Sequence, residues 1–231
     1  MLPPSQLASQ PHITTPALRS PRGLATATSV LLGVAAATDL FALYAGLQLR
    51  IVARDILDRG SEEIDRTDLL YQLSGYLQMS AVLATAVVFI IWFFRVRSNA
   101  DVLAPDICTR SRGWAIGGWF IPVGNLWLPF GVARETWVAS TQHAPDGAWR
   151  TVSQWPIRAW WGTWIACLLV YRVGTTMAGH ATTPEAVQRS TDVVMLADAL
   201  KLTAALFAIL FVRRLTAMQH RKATEGPHAS V

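Results

Sequence analysis

Four apolar stretches, residues 24–49, 69–94, 157–178 and 193–212, are each long enough to cross a bilayer, and charged residues lie at or near their ends. A crossing takes about 20 apolar residues, and in lipid the backbone must satisfy its own hydrogen bonds, so each stretch predicts an α-helix. Between the first two, residues 50–68 carry six acids and four arginines and predict solvated helical extensions of their neighbours. A fifth apolar stretch, residues 113–130, is broken by Gly117, Gly118, Pro122, Gly124, Asn125 and Pro129. Each proline removes a helical donor and clashes with the preceding turn, which argues against a straight spanning helix there. The pattern predicts a short broken hairpin or re-entrant element, then an interfacial amphipathic helix presenting Trp127, Phe130, Arg134 and Trp137 on one face.

Composition agrees: 52% of residues are hydrophobic and 15% charged, against about 25% charged in soluble domains. The fold class expected is all-α: a polytopic membrane protein of four transmembrane helices plus the Pro/Gly-broken segment. Residues 1–23, rich in Pro, Ser and Thr, predict a disordered tail, residues 24–215 the helical membrane domain, and residues 216–231 a flexible basic tail. The run Ala35, Ala36, Ala37 resembles a signal-peptide cleavage site, but apolar character continues to Leu49, which favours a span.

The net charge of +5 comes from Lys and Arg at the ends of apolar runs, a topology signal rather than a nucleic-acid face. With four spans and a cytoplasmic amino terminus, only Arg50, Arg54, Arg59, Arg66, Arg172 and Arg189 fall outside. A spanning fifth stretch gives a weaker bias. All ten tryptophans lie between Trp92 and Trp164, nine of them from Trp114 onward. Tryptophan favours the membrane–water boundary, and the four-span arrangement puts all ten at the cytoplasmic face.

Ionisable groups inside spans are the first functional candidates, because inserting Asp or Lys mid-helix costs about 2.5–3.5 kcal/mol. Asp39, Asp198 and Lys201 qualify, and Arg172 and Gln78 reach the same outer layer, making one candidate buried polar cluster. It either binds an ion, proton or small polar ligand, or locks the helices together. The second candidate is the broken-helix motif of Pro122, Asn125, Trp127, Pro129, Arg134 and Trp137. There the Asn125 amide either satisfies carbonyls freed by the prolines or walls a pocket. Gly33 and Ala37 form a small-residue pair suited to close helix packing. The histidines show no metal-ligand spacing, no phosphate-binding loop or nucleophile elbow is present, and Cys108 and Cys167 predict free thiols.

The run Trp92-Phe93-Phe94-Arg95, then Asn99-Ala100, Gly113-Trp114, Trp119 through Pro129, and Arg134-Glu135-Thr136-Trp137 resembles a catalogued family of uncharacterised bacterial membrane proteins, a domain of unknown function. Its specific part is the Pro-x-x-Asn-Leu-Trp-x-Pro core from Pro122 to Pro129. The resemblance implies a multi-spanning fold in a bacterial plasma membrane and supplies no activity, cofactor or partner. The function expected is a non-enzymatic scaffold whose Trp- and Arg-rich cytoplasmic face engages lipid headgroups or a membrane-protein partner, a second copy included. The alternative is a transporter or channel component using the buried polar cluster. No cofactor, metal or nucleic acid is expected.

Overall fold

The computed structural model describes residues 18–148 and 150–228. The tail expected over residues 1–23 lies mostly outside the described residues, as does Trp149. The described chain is all-helical, with α1 Arg22–Arg54, α2 Ser61–Leu103, α3 Trp114–Gly117, α4 Leu128–Ala139, α5 Trp155–Gly179 and α6 Pro184–Glu225. Short 3-10 turns at Ile56–Asp58, Pro105–Ile107 and Val123–Leu126 join them.

Three helices, α1, α2 and α6, are long and apolar enough to cross a membrane. Their outward faces confirm the solvent. Val30, Val34 and Leu40 on α1, Val82, Leu83 and Val87 on α2, and Leu196 and Leu206 on α6 are all exposed. Water would penalise that surface and lipid does not, so the protein is a multi-pass membrane protein. At 1.5 Å per residue, the 43 residues of α2 and 42 of α6 each reach about twice the ~30 Å of a hydrocarbon core. Both helices therefore continue past the apolar part as solvated extensions.

Three levels of side-chain contact fix the packing order. At one end Asn99 bonds to Arg19 and Gln219, midway Gln78 bridges Asp39 and Asp198, and at the other end Arg50 meets Asp192. Hence α1 runs antiparallel to both α2 and α6, and α5 pairs with α6 in a second antiparallel hairpin. The first level is the tryptophan end and the last the far end. Residues 104–154 leave the tryptophan end with α2 and return to it with α5.

Along α1 the buried residues Ala25, Thr28, Leu32, Ala35, Asp39, Ala42 and Gly46 alternate spacings of three and four, the seam of left-handed helix packing. Close approach is built from glycine: a Cβ on Gly46 would meet Met195 Cγ at 2.9 Å, and one on Gly174 would meet Val194 Cγ2 at 2.8 Å. The expected Gly33 and Ala37 pair is not such a contact, since Gly33 has nothing within 4 Å of a Cβ position. For α6, the Thr183 hydroxyl accepts the Ala186 N–H and Pro184 opens the first turn, the ordinary start signals.

Two sequence expectations need correction. The flexible tail placed at residues 216–231 is helical as far as Glu225, and Gln219 and Lys222 within it are buried. Gly226, at φ 92°, stops that helix in a conformation side chains disfavour. The amphipathic face assigned to Trp127, Phe130, Arg134 and Trp137 is not one face either. Trp127 precedes the helix and is 56% exposed, Arg134 is exposed, and Trp137 is 1% exposed. Because α4 begins at Leu128, its buried face is instead Pro129, Val132, Ala133, Thr136 and Trp137.

Candidate functional site

Asp39 sits on the buried seam of α1, Gln78 on α2, and Asp198 and Lys201 one turn apart on α6. The Gln78 amide donates to Asp39 Oδ1 at 2.8 Å and to Asp198 Oδ1 at 2.9 Å. Lys201 Nζ donates to the same Asp198 oxygen at 2.8 Å and lies 4.5 Å over the Tyr171 ring. Three helices are thus tied by one bonded chain, with Asp198 at its centre. The arrangement holds two carboxylates and one ammonium. Asp198 has the lysine, whereas Asp39 accepts only a neutral amide, so its charge has no bonded cation among the described residues. Arg172 does not join them: it is exposed, and its guanidinium has no hydrogen-bond partner among the described residues. Helical geometry explains the substitution, since one residue back turns the side chain about 100° and brings Tyr171 to the lysine instead.

The broken-helix motif folds as a turn packed on α5. Pro122 is exposed, Pro129 is buried in the first turn of α4, and Gly124 is needed because a Cβ there would meet Ile121 at 2.8 Å and Leu128 at 2.9 Å. Asn125 is half-buried and donates through its backbone N–H to Ile121 O at 2.9 Å. Its side-chain amide makes no hydrogen bond among the described residues. The carbonyl that needs a donor, that of Leu126, takes the Trp161 indole N–H at 3.1 Å. A tryptophan does the work expected of the asparagine.

Residues 57–217 match the family described as Domain of unknown function (DUF4328). The chain belongs to that family. No curated protein and no solved structure matches the chain. The DUF4328 segment takes in Gln78, Asp198 and Lys201, while Asp39 and the whole of α1 lie outside it.

Within the DUF4328 segment, residues 113–139 wedge between α2 and α5 at the tryptophan end. Trp119 touches Phe89 at 5.8 Å and Phe93 at 6.3 Å on one side, and Trp160, Trp161 and Trp164 on the other. Trp160 stacks on Phe211 at 4.9 Å and 12°, and Trp137 stacks on the same ring at 6.2 Å. Trp92, Trp137, Trp160 and Trp161 are buried, so much of the tryptophan cluster is core rather than docking face.

A buried polar network that the sequence reading missed fastens this wedge. Gln219 donates to Val96 O at 2.7 Å and Ser140 Oγ at 3.1 Å, and Lys222 Nζ donates to Ala139 O and Thr141 O at 2.9 Å each, satisfying the carbonyl end of α4. Arg97, fully buried, bonds Asp101 and the Arg110 carbonyl, and Arg110 pairs with Glu135. The available signal was the spacing 208, 211, 215, 219, 222, which carries the α6 seam past residue 215.

Proposed function

We propose that this DUF4328 protein is a non-enzymatic membrane scaffold of four spans, with α5 as the fourth, and with both termini and the tryptophan end on the cytoplasmic side of a bacterial plasma membrane. The 25 residues of α5 reach about 37 Å, a length sufficient for a crossing, and its packing along α6 supports this reading. The charge bias and the boundary preference of the exposed Trp114, Trp127 and Trp155 support the orientation.

One observation carries the scaffold reading: at the tip of the wedge, Phe120, Ile121, Val123, Leu126 and Trp127 are all exposed, with Arg112 and Arg134 exposed to either side in sequence. A contiguous apolar surface edged by charge is the form of an interaction site. The fastened wedge beneath it supplies a rigid platform. A photo-crosslinking residue at Val123 tests this in living cells. The expected result is a protein adduct of defined mass that Phe120→Ala and Trp127→Ala remove, and lipid adducts alone reject the scaffold.

A second reading, a transporter or channel component, is favoured by the Asp39 carboxylate, which has no bonded cation among the described residues. It predicts proton or monovalent-cation flux in reconstituted vesicles, abolished by Asp39→Asn. Equal flux through empty vesicles excludes it.

A further inference from the structure

At the tryptophan end, on the side of α1 and α6, lies an open groove of about 700 Å³. Arg22, Arg213 and Arg221 line it together with His220, Thr216 and a single acid, Glu225. None of the three guanidiniums has a hydrogen-bond or ion-pair partner among the described residues. Three guanidiniums against one carboxylate leave a net repulsion, and an anion between them relieves that cost. Opposing helix ends do not decide the sign: the first turn of α1 attracts an anion, the last turn of α6 repels one, and the two effects nearly cancel. The arginines decide it.

Depth decides what kind of anion. Arg22 and Arg221 stand at the mouth, Arg213 lies eight residues further down α6, and Val30 and Ile209 line the groove deeper still, with Ala25 and Ala217 between. Val30 is eight residues, about 12 Å, from Arg22, and Ile209 is twelve, about 18 Å, from Arg221; the Thr26 and Ser29 hydroxyls along the way donate to their own helix, so polarity falls away over the distance separating a headgroup from its acyl chains. Midway, Thr216 is buried and accepts the Trp92 indole N–H at 3.1 Å, while its own O–H has no acceptor among the described residues. A free phosphate would use the mouth and leave the apolar half uncovered.

We infer that this groove binds an anionic phospholipid of the leaflet at the tryptophan end, its phosphodiester held by Arg22, Arg213 and Arg221 and an acyl chain lying along Val30 and Ile209. Guanidinium forks match phosphate oxygens in pairs, and the Thr216 hydroxyl adds one donor between Arg213 and Arg221. The choice of leaflet rests on the membrane reading above. Topology reporters after Arg112 and Lys222 test the orientation separately, so that loss of one conclusion leaves the other standing.

The test is native mass spectrometry of the full chain in detergent, titrated with phosphatidylglycerol and phosphatidylcholine of identical acyl chains. The wild type is expected to retain one phosphatidylglycerol in preference to phosphatidylcholine. Retention should fall roughly fivefold for each arginine removed, in R22A and in R213A/R221A, and stay unchanged in R150A/R158A, whose arginines lie outside the groove. Equal retention of the two lipids overturns the site. An equal loss in R150A/R158A also overturns it, because general surface charge would then be the cause. Inorganic phosphate supplies the remaining arm: if it raises the melting temperature of lipid-free protein in an Arg213- and Arg221-dependent way, the groove takes a soluble anion and the lipid assignment fails. Should R213A/R221A not fold, R22A on the opposite helix and the wild-type lipid preference decide the matter alone.

Discussion

Toward the far end, α1 and α6 approach so closely that a Cβ on Gly46 would sit 2.9 Å from Met195, whereas at the tryptophan end the space between α2 and α5 admits all of residues 113–139. The two halves fill themselves accordingly. Small residues such as Ala42, Ala45 and Ala197 are buried in the first, and Trp92, Trp137, Trp160, Phe93 and Phe211 in the second. Polar groups differ in the same way. The narrow half holds one chain of four side chains with Asp39 left half-answered, while the wide half ties backbone carbonyls to Gln219 and Lys222 from several directions. Close backbones need few fasteners, because dispersion between them is already favourable in lipid. A wedge of short, broken helices cannot supply that contact and is held by aromatic bulk and buried hydrogen bonds.

The sharpest way to break this comparison lies in two tryptophans of the wide half. Trp137 is stacked on Phe211 inside the core, and Trp137→Ala leaves a large cavity, with an expected loss of about 3–5 kcal/mol. Trp127 is exposed, and Trp127→Ala is expected to change stability by less than about 0.5 kcal/mol. Thermal unfolding in detergent reads both. If the two losses were equal, the tryptophan cluster would be a surface rather than a core.

In the narrow half the expected effects are smaller and unequal. Asp198 accepts from both Gln78 and Lys201, while Asp39 accepts from Gln78 alone. Hydrogen bonds between membrane helices average about 0.6 kcal/mol and reach about 1.7 kcal/mol. Asp198→Asn is therefore expected near the top of that range and Asp39→Asn near or below its mean. A double-mutant cycle of Asp39→Asn with Lys201→Met should show weak coupling, because Asp198 stands between them. Strong direct coupling would require Asp39 and Lys201 to pair, a different layer from the one observed.

Legibility followed the same division. Long apolar runs announced α1, α2 and α6, since lipid leaves the backbone no alternative to helix, and helical spacing alone aligned Asp39, Gln78, Asp198 and Lys201 in depth. Rotation about α5 was not readable from depth, which is why Arg172 was expected where Tyr171 stands. The wide half was harder for a physical reason. Its order depends on long-range bonds such as Trp161 to the Leu126 carbonyl and Lys222 to the end of α4, and no local periodicity encodes those. The Pro and Gly residues of 113–130 marked where regular structure stops. They did not say which side chains would answer the freed carbonyls, and the amide of Asn125 was a plausible donor that the fold does not use.

The smallest effect probes how tightly the wedge is closed. Cys108 lies between α2 and α3, beside the Arg97, Asp101 and Glu135 network, and outside the membrane-crossing helices. Burial above all, opposed by Arg97 and joined by Asp101 and Glu135, pushes its thiol up from 9.0 to about 11. The thiolate is the reacting species, so at neutral pH a maleimide should label Cys108 about 100-fold more slowly than an ordinary exposed thiol. The rate should climb about tenfold per pH unit until the pH approaches 11. The stability linkage has the matching sign: a raised folded-state value favours the native state below the unfolded value of 9.0, and that contribution disappears as pH rises through about 11. Loosening the wedge with Glu135→Ala removes one of the raising charges and opens the loop to water, and both changes speed labelling. Unchanged labelling in that variant would mean that the segment around Cys108 keeps its closure without the Arg110 and Glu135 pair, leaving Arg97 as the group that fastens it.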